Sequence, residues 1–277
     1  MIVAAIQMES REDIAQNWET AQRLAKEAAS RGAKVVAFPE VFLYVGPDKT
    51  AASDLDGEWL PKFTALAAEL GIYLLAGSVG ERVANSQKIY NTSVLLDPNG
   101  KELARYRKIH LFDAALPNGR SYRESDYVAP GSEIITAKTE FGEVGLSVCY
   151  DLRFPELYRK LTRGGATRLI FIPSNFTLMT GKDHWLPLLR ARAIENQVYL
   201  IAPNQHGEKY GGRASYGKSA IIDPWGSVLA MAPDREAVIT AEIDFAYQDQ
   251  VRMALPCLNH VRLETYAKIS DKPAVVD

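Results

Sequence analysis

The 277-residue sequence predicts an α/β fold whose strands are covered on both faces. Three observations carry that prediction. Short segments are apolar along nearly their whole length, which is how a doubly buried strand reads. Between them lie stretches with apolar residues at spacings of three and four, the mark of an amphipathic helix. The two kinds alternate through the first third of the chain, the rhythm of a layered α/β protein.

Taken in order, Ile2–Met8 is a buried strand. Asp13–Ser30 is a helix with Ile14, Trp18, Ala21, Leu24, Ala25 and Ala28 on one face; Asp13 suits its N-cap and Gly32 its stop. Lys34–Phe38 is an apolar strand broken by Pro39, Trp59–Leu70 a helix and Ile72–Val79 a further strand. Tyr90–Leu96 and Lys101–Tyr106 flank Asp97-Pro98-Asn99-Gly100, a hairpin with an explicit turn. Ser219–Ile222, Asp223-Pro224-Trp225-Gly226 and Ser227–Ala230 repeat the device, and Gly32 to Glu40 echoes Gly165 to Ser174 at a similar separation. Two such echoes suggest a duplicated half, although α/β segments also resemble one another by chance. No Gly/Ser/Pro-rich linker or charge block divides the chain, so residues 1–277 read as one domain.

Composition excludes several functions. With 32 basic and 34 acidic residues the formal charge is −2, which is no footprint for nucleic acid or anionic membrane. No apolar run reaches the roughly 20 residues of a membrane span, and Met1 leads into IVAAIQM without a basic leader, so a cytoplasmic address is expected. Two cysteines form no disulfide framework.

Chemistry collects at strand ends. Glu143–Val148 is a strand and Asp151–Arg163 is helical from about Pro155, which places Cys149 on the sharp turn between them. There a thiol is presented to ligands; the alternative is a small buried hydrophobe. Cys257 has no such setting. None of the histidines (His110, His184, His206, His260) ends an apolar strand, so no Cys/His pair is supported. Glu40 ends KVVAFP, and Lys108 ends ELARYRK. In a largely parallel sheet, Glu40 and Cys149 meet on one rim and the hairpin delivers Lys108 to it. A carboxylate there takes the thiol proton, an ammonium stabilises thiolate and oxyanion, and the Tyr150 N–H is a second oxyanion donor. Taken singly, each of these charged residues also fits a surface ion pair.

Three segments resemble the signatures of the nitrilase superfamily of carbon–nitrogen hydrolases: Phe38-Pro39-Glu40, Tyr106 to Asp113, and Cys149-Tyr150-Asp151-Leu152-Arg153-Phe154-Pro155-Glu156. The resemblance continues through Ile172 to Phe176, His184–Gln197 and Ser215–Gly226, nearly the whole chain. It implies a four-layer αββα sandwich with pseudo-twofold internal symmetry. It further implies Glu40 as base, Lys108 as oxyanion stabiliser, Cys149 as nucleophile and Glu124 as the second glutamate, with no metal or organic cofactor. The residues after Cys149 look like the Nit-type amidase branch, in which the arginine matching Arg153 holds the substrate carboxylate; pairing with Asp151 or Glu156 is the alternative. Ser174, Asn175 and Phe176, with Tyr44 more weakly, are expected to line the pocket, and Gly207–Ser215 to form a loop at its rim.

The expectation is therefore a thiol amidase acting on the terminal carboxamide of a small α-keto-acid amide. Deaminated glutathione is the first choice and α-ketoglutaramate the second, with a thioester intermediate and release of ammonia. An N-carbamoyl hydrolase, a nitrilase and a non-catalytic binding scaffold are the rivals. A small-molecule amide is the expected partner, and a homodimer or higher homo-oligomer the expected assembly, with Leu263–Asp277 either crossing to a partner or fraying.

Overall fold

A computed structural model describes residues 1–266. The first half runs β1 (Ile2–Gln7), α1 (Ile14–Ser30), β2 (Val35–Ala37), α2 (Leu60–Leu70), β3 (Tyr73–Leu75), β4 (Val79–Arg82), β5 (Ile89–Leu96) and β6 (Glu102–Arg107). A small hairpin follows, β7 (Asp113–Ala115) and β8 (Ser121–Arg123). The second half runs β9 (Thr136–Thr139), β10 (Gly142–Leu146), α3 (Pro155–Leu161), β11 (Thr167–Phe171), the single turn α4 (Leu178–Thr180), α5 (Leu186–Asn196) and β12 (Tyr199–Ala202). A second small hairpin comprises β13 (His206–Lys209) and β14 (Arg213–Tyr216). β15 (Ala220–Ile222), β16 (Val228–Met231), β17 (Ala237–Glu242), α6 (Phe245–Ala254) and α7 (Leu263–Tyr266) complete the described chain.

Two sheets result. One has the order β17-β1-β2-β3-β5-β4, with β6 also on β5; the other is β16-β15-β12-β11-β10-β9. Alternation along each strand builds the layers. Val3, Ala5, Val35, Ala37 and Leu75 of the first sheet share a core with Val144, Leu146, Leu169, Phe171 and Ile201 of the second. Ala4, Ile6, Val36 and Leu74 face the other way, against Ala21, Leu24 and Ala28 of α1 and Phe63 and Leu66 of α2. On the far side, Leu157 and Leu161 of α3 and Leu189 and Ala193 of α5 cover the second sheet. The architecture is a four-layer αββα sandwich.

Its two halves are related in register. The parallel core of each sheet is β1-β2-β3 or β10-β11-β12, each bordered by an antiparallel hairpin. Leu74↔Leu96 and Leu75↔Leu95 correspond to Leu200↔Ile222 and Ile201↔Ile221. Both hairpins even carry a bulge at the same place, between Leu95 and Leu96 and between Ile221 and Ile222. The duplication read from the two Asp-Pro-x-Gly turns is thus a pseudo-twofold of the fold.

Several local expectations hold. Asp13 caps α1 by accepting from Gln16 N, and Gly32 follows its end at φ +85°. Others change. Ile72–Val79 is not one strand: it stops at Leu75, because Gly77 at φ +29° presses on the Pro39 carbonyl, where a Cβ would lie 2.0 Å from the oxygen. Gly207–Ser215 is not a loop but most of the β13–β14 hairpin, which pairs His206↔Tyr216 through Lys209↔Arg213. Glu40, Lys108 and Cys149 do not share one sheet rim: the first two leave the first sheet and Cys149 leaves the second. The expectation for Leu263–Asp277 falls largely outside the described residues. Among those residues no helix is long and apolar enough to cross a membrane.

Candidate active site

Four ionisable side chains meet between the two sheets, each almost fully buried: Glu40 at 4% exposure, Lys108 at 2%, Glu124 at 8% and Cys149 at 8%. Each sits just outside an element whose ends fix it. Glu40 follows β2 by three residues, and the next residue, Val41, is held at φ +48°. A β-branched residue there is strained. Lys108 follows β6, its N–H donating to the Asn91 carbonyl. Glu124 opens the turn after β8. Cys149 begins the 3-10 turn after β10, also at φ +48°, its N–H donating to the Pro173 carbonyl. Backbone strain persists where surrounding structure imposes it, and it concentrates at functional sites.

The Lys108 ammonium ties the carboxylates together. Its Nζ lies 2.9 Å from Glu40 Oε1 and 2.9 and 3.0 Å from the two oxygens of Glu124. Burial pulls the ammonium down, but Glu124, Glu40 and Cys149 together outweigh it and hold Lys108 well above its ordinary value. The Cys149 thiol is pushed well above its ordinary value, first by burial and then by Glu40, with Lys108 opposing. At neutral pH the site therefore holds a protonated thiol beside an ammonium.

Neighbours fix the carboxylates further. Asn175 N donates to Glu40 Oε2 at 2.8 Å, a bond from the second half to the first. Phe112 N donates to Glu124 Oε2 at 2.6 Å, and Asn91 Nδ2 reaches Glu40 Oε1 at 2.9 Å and Glu124 Oε1 at 3.3 Å.

These charges open into a cavity of about 490 Å³. Tyr44, Arg153, Asn175 and Phe176 line it, and so does Tyr150. Ser174 does not: it is fully buried and turns its hydroxyl back to the Ile172 carbonyl. Arg153 pairs with neither Asp151 nor Glu156; it lies over the rings of Phe176 and Tyr150 and meets His184 Nδ1 at 3.2 Å. No histidine lines the cavity. Among the described residues no group of three or more His, Cys, Asp or Glu is arranged to hold a metal ion.

Two positioning groups escaped the reading of the sequence. Asp151, fully buried, accepts from Val148 N at 2.8 Å, Tyr106 Oη at 2.7 Å and His110 N at 3.1 Å, and pairs with His110 Nδ1 at 2.7 Å. It clamps the turn carrying Cys149 to the segment carrying Lys108. Asn91 is the other, bridging Glu40 and Glu124. An acid two residues after the cysteine and a histidine two after the lysine were the available signal for the clamp; Asn91 sits mid-strand and gave none.

Fold and buried charge set together define a hydrolase of the nitrilase superfamily. Residues 2–253 match the carbon–nitrogen hydrolase family, and the chain belongs to it. It is a hydrolase acting on carbon–nitrogen bonds in amides. Among its relatives is a protein of Synechocystis named deaminated glutathione amidase, 43% identical over 94% of this chain and 97% of the relative. A mouse protein of the same name is 41% identical over 97% of this chain and 85% of its own. Among solved structures, the Caenorhabditis elegans NitFhit protein superposes with a TM-score of 0.89 at 37% identity, covering 96% of this chain and 66% of that one. Saccharomyces cerevisiae Nit3, a member of branch 10 of the nitrilase superfamily, gives 0.80 at 31% identity, covering 92% and 94%.

Proposed function

We propose that the chain cleaves amides whose acyl part is a 2-oxo acid, with Cys149 as nucleophile. One observation carries this reading: a thiol on a strained turn faces an ammonium and two carboxylates inside a cavity that also holds Arg153. Glu40 takes the Sγ proton as sulfur attacks the amide carbon. An ammonium has three donors; one reaches Glu40 and a second is shared by the two oxygens of Glu124. The third, with the Tyr150 N–H, holds the oxyanion; that N–H lies in the first turn after β10, where donors lack helical partners. As the C–N bond breaks, Glu40 returns the proton to the leaving amine, and a thioester remains. Water then attacks it while Glu40 takes a proton, and the C–S bond breaks to give the acid and, with that proton, the thiol. Glu124 keeps Lys108 in place throughout.

The substrate follows from Arg153 and the relatives. A guanidinium seated on an aromatic face grips a carboxylate, here the 2-oxo acid carboxylate of the acyl part. Deaminated glutathione and α-ketoglutaramate share a 2-oxoglutaryl group, and the cavity admits the larger. In deaminated glutathione the group is bound as a secondary amide, so the amine released is cysteinylglycine rather than the ammonia of a terminal carboxamide. Release of 2-oxoglutarate from both compounds tests the reading. Wild type is expected to release it, and Cys149→Ala to lose about four orders of magnitude. Full activity in the variant, or no turnover of either compound by wild type, overturns it.

We also infer a homo-oligomer. Val228, Leu229 and Met231 of β16 and Trp225 of the turn before it expose apolar side chains at the edge of the second sheet, and such an edge is stabilised by covering. Sedimentation of a monomer at micromolar concentration would contradict it.

A further inference from the structure

Charge in the cavity is not balanced. Its lining carboxylates are all engaged: Glu40 and Glu124 by Lys108, and Asp126 by Arg123 at 3.2 Å. Besides Arg153, three lining cations have no carboxylate partner among the described residues: Lys209, whose buried ammonium is spent on the Ser10 carbonyl and Gln205 Oε1, and Lys49 and Arg213, which are not so engaged with a second element. Lys49 and Arg213 come from different parts of the chain, the segment after Glu40 and the first residue of β14, yet line the same cavity, and Arg213 adds to burial in lowering the Lys49 ammonium. Two like charges held together at half-buried positions are unfavourable without an anion between them.

Their mounting is specific. Lys49 Nζ donates to the Gly46 carbonyl and lies 5.9 Å from the Tyr127 ring centroid and 5.5 Å from that of Tyr210. The Arg213 guanidinium lies 5.0 Å over Tyr122. Tyr210 is exposed at the tip of the β13–β14 hairpin, and Arg120 of the other hairpin donates to the Gly212 carbonyl, so the two hairpin tips join over this end of the cavity. Arg153, by contrast, sits on Phe176, one turn beyond Cys149.

We propose that Lys49 and Arg213 form a second anion subsite, which receives a carboxylate carried by the leaving amine. The inference rests on the assignment of Cys149 and of a 2-oxoglutaryl acyl group, and it sharpens the substrate class. Arg153 holds the anion of the acyl half, and the outer pair holds an anion on the other side of the scissile bond. The enzyme then favours dianionic amides whose leaving group is a short peptide with a free C-terminus over primary amides, which carry no second anion.

The test compares deaminated glutathione with its C-terminal carboxamide, which differs only in that one charge. For wild type, kcat/KM is expected to favour the free acid by about tenfold, mainly through KM, as suits one charge-assisted contact. In Lys49→Met/Arg213→Gln the preference is expected to fall within twofold, and in Lys49→Arg most of it returns. A wild-type preference below twofold overturns the subsite, as does a preference that survives in the double variant. The wild-type comparison decides even if the double variant does not fold. Failure of the underlying reading looks different: wild type would then cleave neither compound nor α-ketoglutaramate.

Discussion

In the first half of the sandwich Val3–Ala5 pairs with Val35–Ala37, and Val35–Ala37 with Tyr73–Leu75. In the second, Val144–Leu146 pairs with Leu169–Phe171, and Leu169–Phe171 with Tyr199–Ile201. Carried three residues past these paired segments, this register makes Met8 equivalent to Cys149, and Ser174 equivalent to Glu40. Along the hairpins, where Leu95↔Ala104 matches Ile221↔Ala230, Asp234 becomes equivalent to Lys108. One set meets in a cavity; the other does not line it. Met8 is packed in the core beneath α1 and α2, Ser174 bonds its own strand, and Asp234 is exposed beside Lys218. Equivalent backbone positions therefore supply the place for a site, and the side chains alone decide which place becomes one.

Paired substitutions at equivalent positions break or sharpen that contrast. The largest effect is expected for Cys149→Ala, about four orders of magnitude in kcat. Met8→Ala should leave kcat within about twofold while costing roughly 2–4 kcal/mol of stability through a cavity, read by denaturant unfolding. Next is Lys108→Met. It leaves Glu40 and Glu124 buried side by side without their cation, a loss of about 3–5 kcal/mol, together with activity. Asp234→Asn, at a mostly exposed ion pair, should stay within about 0.5 kcal/mol of wild type. Third is the base. Glu40→Gln should lower kcat/KM by about 10²–10⁴-fold, whereas Ser174→Ala should cost about 1 kcal/mol for its buried hydrogen bond and little activity. If Met8→Ala or Ser174→Ala abolished turnover without unfolding the chain, the second set would belong to the site and the contrast would fail.

Legibility in the sequence followed the same divide. Apolar runs and Asp-Pro-x-Gly turns exposed the strands, both hairpins and the duplication, because local chemistry alone determines them. Glu40, Lys108 and Cys149 stood out as polar residues at the ends of apolar strands. The pairing of strands into two sheets rather than one was not legible from local pattern, since nothing local tells Ala5 that it faces Leu146. That is why one rim seemed sufficient to gather all three. Asn91 and Asp151 were hidden for the same reason: their roles exist only once Glu40, Glu124 and Lys108 are brought together. Ser174 failed differently, because its neighbours Asn175 and Phe176 do line the cavity, while its own hydroxyl is buried on the Ile172 carbonyl, a bond no local pattern shows.

The smallest expected effect is a pH dependence, and its sign can be worked out. Burial and Glu40 raise Cys149 above its ordinary value of 9.0, and the two carboxylates hold Lys108 above 10.5 against the pull of burial. Each keeps its proton in the folded state at pH values where the unfolded chain has lost it. Their contributions are therefore complete below about pH 9 and decline as pH rises, by up to about 1.4 kcal/mol per pH unit for each proton retained. Lys209 acts in the opposite direction. Burial lowers it from 10.5 to about 7, so the folded chain sheds that proton first and gains stability with pH between those values. Total stability thus mixes both signs, but the difference between wild type and Cys149→Ala cancels Lys209 and isolates the thiol. The Tm of wild type relative to the variant is expected to fall by a few degrees from pH 8 to 10.5. Met8→Ala removes no titrating group, so its offset from wild type should stay flat over the same range. A Cys149→Ala offset that is equally flat would mean the thiol is not held protonated by its surroundings.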